Sequence, residues 1–294
     1  MKPESLKARI FLDGGNPGET REAIDFLGFL DGQTTNPTLI SKNPGIRERL
    51  ERGEKFSVDE LLDYYMDVVK QISAMVPEGS VSVEVYADPS TPAEQMIKQG
   101  REMFSWIPNA HIKFPTNKEG LRAAEMAVTE GLRMNMTLCF AQEQAAAVYA
   151  ATRGAKRGDV FVSPFIGRLD DIGLNGMDLI DNIIRMYWQG DGHVEVLTAS
   201  VRNVDHLLYA IMLGSDIITV PFEVLKDWRT RAMPLPGEGF YDNTGGRKGI
   251  PYKELDLSKN RQDYDVRHEL TVKGMEKFSG DWNALIGQPA AAKR

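Results

Sequence analysis

Eight short runs rich in β-branched, aromatic and aliphatic residues punctuate the chain, at 9–13, 32–36, 81–86, 111–115, 133–138, 160–165, 194–200 and 217–221. No hairpin turn joins any two of them. Between most lie stretches with apolar residues at helical spacing. Residues 58–75 are the clearest case: Leu61, Leu62, Tyr65, Val68, Val69 and Ile72 recur at three and four, and Asp59 and Glu60 open the segment where negative charge suits a helix dipole. Residues 92–104, 118–130, 142–153, 177–188, 204–213 and 222–228 read the same way. Strands that alternate with helices run parallel, joined by crossovers. Eight such units predict an α/β fold, a (β/α)8 TIM barrel. The competing architecture is an open, doubly wound sheet, which would gather its polar functional residues at one switch point. Here they are spread over the ends of at least six of the eight runs, which favours the barrel.

The segment beyond the eighth run differs in character. Residues 233–251 hold three prolines and five glycines in nineteen positions and read as a long loop. Residues 265–286 look helical again, through Leu270, Val272, Met275 and Phe278; 290–294 carry no fold signal. The expected organisation is a catalytic barrel over 1–232, then a loop and an extra C-terminal helical segment over 233–294 capping the same domain.

Composition excludes several classes of function. With 294 residues and 42% hydrophobic content there is ample core for one large domain or two small ones. The formal charge of −7 gives no overall basic footprint for nucleic acid. No apolar run approaches the roughly 20 residues of a membrane span, and the N-terminal residues lack a signal-peptide core. The single cysteine, Cys139, sits in an apolar run and reads as core filler. These features point to the cytoplasm. His111, His193, His206 and His268 are scattered without ligand spacing, so no metal is expected. Gly14, Gly15 and Gly18 do not make a dinucleotide fingerprint, nor do Gly245 and Gly246 make a phosphate-cradling loop; both clusters read as turns, and no cofactor is expected.

Lys113 stands inside the fourth run, 111–115. A charged amine there is expensive to desolvate, and burial favours its neutral, nucleophilic form. Schiff-base chemistry on a carbonyl is one reading; a lysine snorkelling to water or paired with a carboxylate is the other. In a parallel barrel both strand faces are buried, so inward polar residues need a reason. Side chains two apart share a face. Asn135 and Thr137 then face inward while Met134, Met136 and Leu138 pack on helices. Asp13 pairs with Phe11, Glu84 with Ser82, Ser163 with Phe165, and Ser200 with Arg202 if the seventh strand extends that far. Asp13, Asn36, Glu84, Lys113, Asn135, Thr137, Ser163 and Ser200 thus surround one interior, with Arg168 and Arg202 just beyond two strand ends. Taken singly, Asp13 could be a turn residue, Asn36 a helix cap, and Arg168 a surface partner of Asp170 or Asp171. Together they suit a ketone: an amine to bind it, Asp13 and Glu84 to move protons, amides to orient hydroxyls, and two arginines with a serine to hold an anion, most naturally a phosphate.

The motifs resemble those of the transaldolase family. Thr34-Thr35-Asn36-Pro37-Thr38-Leu39-Ile40 is similar to its second-strand signature and Ile112-Lys113-Phe114-Pro115 to its lysine strand. Asn135-Met136-Thr137-Leu138, Ser163-Pro164-Phe165-Ile166-Gly167-Arg168 and Ala199-Ser200-Val201-Arg202-Asn203 resemble its fifth, sixth and seventh strand motifs, and Leu12-Asp13 stands where the family carries its catalytic aspartate. The resemblance implies a Schiff base on Lys113, with Asp13, Glu84 and Thr137 moving protons. It implies that Asn36 and Asn135 hold a dihydroxyacetone unit, with Ser163 and Phe165 beside it, and that Arg168, Ser200 and Arg202 bind a sugar phosphate. The related fructose-6-phosphate aldolases carry glutamine at the place of Glu84 and tyrosine at the place of Phe165; this chain has the transaldolase residue at both. The alternatives are such an aldolase and a non-catalytic sugar-phosphate binding barrel. Sugar phosphates are the expected partners, nucleic acid and membrane are not, and a homo-oligomer is compatible with all of this. The loop at 233–251 matches the family only loosely and is a candidate cover for the mouth.

Overall fold

A computed structural model describes residues 2–241 and 245–287 of the chain. Eight strands form one closed barrel in chain order: β1 (Arg9–Asp13), β2 (Gly32–Thr34), β3 (Ser80–Glu84), β4 (Ala110–Pro115), β5 (Met134–Cys139), β6 (Val160–Pro164), β7 (Val194–Thr198) and β8 (Ile217–Pro221). Every pairing is parallel, and β1 closes on β8. The helices are α1 (Pro17–Leu27), α2 (Pro37–Ser41), α3 (Pro44–Glu51), α4 (Val58–Met75), α5 (Ala93–Phe104), α6 (Lys118–Thr129), α7 (Gln142–Ala151), α8 (Ile166–Asp170), α9 (Gly176–Tyr187), α10 (Val204–Leu213), α11 (Phe222–Thr230) and α12 (Glu269–Asn283). The (β/α)8 barrel expected from the alternating pattern is the observed fold.

The expected periodicity of α4 has its cause in the core: Leu61, Tyr65, Val68, Val69 and Ile72 are buried on one face. Its start is a capping box, Ser57 accepting from the Glu60 N–H and the Glu60 side chain accepting from the Ser57 N–H. Sequence reading did not identify α1, α2, α3 or α8. The first three are short or weakly patterned and are set by their caps: Asn16, Asn36 and Asn43 each accept a backbone N–H, with proline in the first turn. Gly18 therefore lies in the first turn of α1, not in a turn between elements. Gly245 and Gly246 do lie in a turn.

The N-terminal end of the barrel is closed by charge pairing. Arg9 lies 2.6 Å from Glu195, and Arg157 bridges Glu195 and Asp216. His111 stacks on Phe161 and bonds Ser80 and Gly158; burial pushes its imidazole down to about 3, so it stays neutral. These residues lie at the N-terminal ends of their strands, away from the mouth. Cys139 is buried, and burial pushes its thiol up to about 12, as befits a core residue. Among the described residues no group of three or more histidine, cysteine or acidic side chains could hold a metal ion, and no helix is long and apolar enough to cross a membrane.

The chain after α11 takes two courses. Residues 247–251 run beside α9: Lys248 exchanges backbone hydrogen bonds with Gly173 and Asn175, and Ile250 bonds Asp178 and Asn182. Tyr241 packs edge-on against Tyr209 of α10. Residues 242–244 of that loop, and 290–294, lie outside the described residues. Helix α12 crosses the other end of the barrel. Its Thr271 hydroxyl donates to the Leu138 carbonyl at 2.9 Å and accepts from Gln144, while Asp281 accepts from Thr38 of α2.

Candidate active site

Strand register brings the polar residues to the C-terminal mouth. Glu84 pairs with Lys113, and Lys113 with Asn135, on adjacent strands. Partners in register on parallel strands point the same way, so all three face inward, opposite to Ile112, Met134 and Met136. Lys113 is 3% exposed. Its Nζ donates to the Thr35 carbonyl at 3.0 Å and lies 2.8 Å from Glu84 Oε2. The carboxylate pairing of the second reading is therefore present, and the paired amine faces the barrel interior. It also lines a cavity of about 220 Å³ at the mouth.

Eight of the eleven expected site residues line that cavity: Asp13, Asn36, Lys113, Ser163, Phe165, Arg168, Ser200 and Arg202. Three do not. Glu84 sits behind Lys113, 6% exposed. Asn135 is buried with its amide engaged on both sides, donating to Ser82 Oγ at 3.1 Å and accepting from Ser163 Oγ at 2.6 Å. Thr137 is fully buried, and its Oγ1 has no hydrogen-bond partner among the described residues. Thr137 precedes an irregularity: the register of β5 against β6 shifts between Met136 and Cys139, and Leu138 has φ 59°. Bulges and left-handed non-glycine residues concentrate at functional sites.

Two carboxyls of raised proton affinity flank the amine. Burial lifts Asp13 above its ordinary value, against the pull of Lys113 and of the Thr34 hydrogen bond. Burial does the same to Glu84, again against Lys113. Asp13 accepts from Thr34 Oγ1 at 2.8 Å, and Thr219 Oγ1 lies 2.6 Å from the same hydroxyl. Thr34 has spent its one proton on Asp13, so Thr219 donates to Thr34, and the relay fixes the carboxylate.

Asn36 is not part of β2, which ends at Thr34. It is the N-cap of α2, its Oδ1 accepting the Leu39 N–H at 2.9 Å. The cap was its alternative reading; the structure makes it cap and cavity wall at once, with the amide NH2 as the group it can offer. Nor does β7 reach Ser200: the strand ends at Thr198, and Ser200 has φ 61°. The period-two argument for Ser200 and Arg202 therefore fails, yet the left-handed turn still delivers both to the cavity. Arg168 is half-buried between rings, 5.3 Å from Phe165 and 5.2 Å from Phe278. Arg202 is exposed and lies 2.8 Å from Asp171. Gly167 lets it lie there, since a Cβ at that position would meet Arg202 Nε at 2.2 Å.

Sequence reading missed several members. Thr34 and Thr219 are inward positions by strand alternation, so the signal was present. Lys277 and Phe278 of α12 also line the cavity; the C-terminal segment was expected to cap the domain, but its apolar spacing does not say that it reaches the mouth. Gly274 permits its approach: a Cβ there would meet Leu138 Cδ2 at 2.6 Å and an Arg168 nitrogen at 2.7 Å. No described residue of 233–251 lines the cavity; α12 occupies that side.

Fold and site together define a (β/α)8-barrel enzyme with a lysine at the centre of its mouth. Residues 10–288 match the family described as Transaldolase/Fructose-6-phosphate aldolase. The chain is 42% identical over 277 residues to a probable transaldolase of Dehalococcoides mccartyi, covering 94% of this chain and 99% of that protein. It is 40% identical over 218 residues to a probable transaldolase of Thermoplasma volcanium (74% and 86% covered), and 36% identical over 283 residues to one of Brucella melitensis (96% and 100% covered). The chain belongs to the transaldolase/fructose-6-phosphate aldolase family, as the five motifs in register implied.

Proposed function

We propose that this protein is a transaldolase. It moves a dihydroxyacetone unit from sedoheptulose 7-phosphate or fructose 6-phosphate to glyceraldehyde 3-phosphate or erythrose 4-phosphate, within the pentose phosphate pathway of the cytoplasm. The observation that carries this reading is the Lys113 amine, 2.8 Å from Glu84, in a cavity that also holds Asp13, Arg168 and Arg202.

In this reading the Glu84 carboxylate, its proton affinity raised by burial, takes the ammonium proton of Lys113. The free amine attacks the ketose C2 carbonyl. Glu84, through a water held with Thr137, returns a proton to the carbinolamine oxygen, which leaves as water and gives an iminium. Asp13 removes the C4 hydroxyl proton, the C4 carbonyl forms, and the C3–C4 electron pair flows into the iminium. The aldose phosphate departs from Arg168, Ser200 and Arg202. The three-carbon unit stays bound to Lys113 as an enamine, held by Asn36 and by Asn135 with Ser163. An acceptor aldehyde then reverses the sequence, and hydrolysis frees the lysine. The iminium is the electron sink, so the route calls for no cofactor.

Glutamate at 84 and phenylalanine at 165 support transfer over simple aldol cleavage. Incubation with fructose 6-phosphate, with and without erythrose 4-phosphate, tests this. Sedoheptulose 7-phosphate formed only with acceptor, with little free dihydroxyacetone, supports transfer; steady release of dihydroxyacetone without acceptor supports the aldolase. Binding of phosphate esters with no product in either case supports the non-catalytic barrel.

A further inference from the structure

A buried phenol outside the proposed chemistry connects the two groups that hold the lysine amine. Tyr65 of α4 is fully buried, with Trp106 and Trp282 packed on its ring at 5.9 Å each. Its hydroxyl accepts the Glu84 backbone N–H at 3.0 Å and lies 2.5 Å from Thr35 Oγ1. Thr35 Oγ1 donates its one proton to the Ser82 carbonyl at 2.8 Å. The phenol must therefore be the donor to Thr35, and the direction of the whole chain is fixed: Glu84 N–H to Tyr65, Tyr65 to Thr35, Thr35 to Ser82. Both residues so pinned contact the amine. The Thr35 carbonyl accepts from Lys113 Nζ at 3.0 Å, and the Glu84 carboxylate lies 2.8 Å from it. Burial raises the phenol well above its ordinary value, so it remains a protonated donor wherever the protein is folded.

We propose that Tyr65 is a positioning residue whose hydroxyl sets the place of the Lys113 amine between the Thr35 carbonyl and the Glu84 carboxylate. It touches no substrate and acts through those two residues. A helix on the outside of the barrel thereby governs the geometry of the group at its centre. The charged groups around the amine are Glu84 from β3 and Asp13 from β1, with Arg168 from α8 acting on Glu84. The catalytic consequence rests on the Schiff-base reading; the positional claim does not.

Tyr65→Phe keeps the ring and its packing and removes only the hydroxyl. Thr35→Val removes the acceptor and keeps the volume, and it carries the same test should the first variant fold poorly. The readout is trace labelling with acetic anhydride across a pH series, Lys113 being compared with exposed Lys226 by peptide mass analysis. Loosening Glu84 from the ammonium should raise the Lys113-to-Lys226 labelling ratio near neutral pH about fivefold, the worth of one ordinary hydrogen bond. Each single variant should show this, and the double variant should add little, because both break one chain. Labelling curves that superimpose on the wild type, or fully additive single effects, would overturn the proposal. A lower melting temperature with unchanged labelling overturns it too, since that is the signature of a structural role alone. In turnover, Tyr65→Phe should lower kcat with KM held. Should the wild type form no borohydride-trapped adduct with fructose 6-phosphate, the Schiff-base reading fails, while the labelling still decides the role of Tyr65.

Discussion

Lys113 and Glu84 face each other in direct register across adjacent strands, the amine nitrogen 2.8 Å from one carboxylate oxygen, with both side chains almost wholly out of water. An ion pair so placed contributes little net stability, because desolvation offsets most of its attraction. In the proposed mechanism its use is proton transfer, and it lies beside a cavity that Asp13 also lines. Glu84→Gln keeps the shape and removes the base. It should lower kcat about 100-fold or more with KM for fructose 6-phosphate little changed, as steady-state kinetics would show. An equal loss through KM alone would assign Glu84 to binding.

Asp13 gives a stability prediction with a definite sign. Its folded-state proton affinity is raised from the ordinary value of 3.8 by burial. A carboxyl raised in the native state contributes most below its unfolded value and loses that contribution as pH rises through the folded one. Asparagine has no such loss. The melting temperature of Asp13→Asn minus that of the wild type should therefore increase as pH rises above about 4, while activity is lost. A constant difference across that range would show that the native carboxyl is not strained by burial.

The two arginines should not weigh equally. Arg168 is half-buried between Phe165 and Phe278, whereas Arg202 is exposed and already paired with Asp171. Arg168→Ala should raise KM for sugar phosphates about 10- to 100-fold, the range of a partly desolvated charge-assisted contact. Arg202→Ala should cost only about fivefold, because exposed charges are screened. Substrates without the phosphate should be indifferent to both, which kinetics on the unphosphorylated ketose would check.

Ser200 holds a left-handed backbone at φ 61°, a conformation that disfavours residues with a Cβ. Ser200→Gly relieves that strain but frees the unfolded chain, so stability should stay within about 1 kcal/mol. KM for sugar phosphates should nonetheless rise through loss of the hydroxyl. Chemical denaturation paired with kinetics separates the two effects; a large stability loss with unchanged KM would assign Ser200 to structure.

The barrel was legible because eight strands and their crossovers repeat one local pattern, and Lys113 was legible because a charge in an apolar run is costly. Period-two alternation placed Asn135 and Thr137 correctly on the inner face, but could not show that Ser82 and Ser163 occupy the Asn135 amide. Positions past the strand ends were harder. Asn36 is placed by a helix cap and Ser200 by a left-handed turn, and neither obeys strand periodicity. Lys277, Phe278 and Tyr65 were illegible for another reason. Their helices are patterned like any others, and only tertiary docking brings α12 across the mouth and α4 against the ends of β2 and β3.

Borohydride reduction in the presence of fructose 6-phosphate decides whether Lys113 forms a covalent bond with a ketose. A reduced three-carbon adduct is expected on the peptide carrying Lys113, and none in Lys113→Met, whose long apolar side chain should fill the strand position and keep the fold. An adduct on another lysine, or turnover with no adduct at all, would rule out a Schiff base on Lys113.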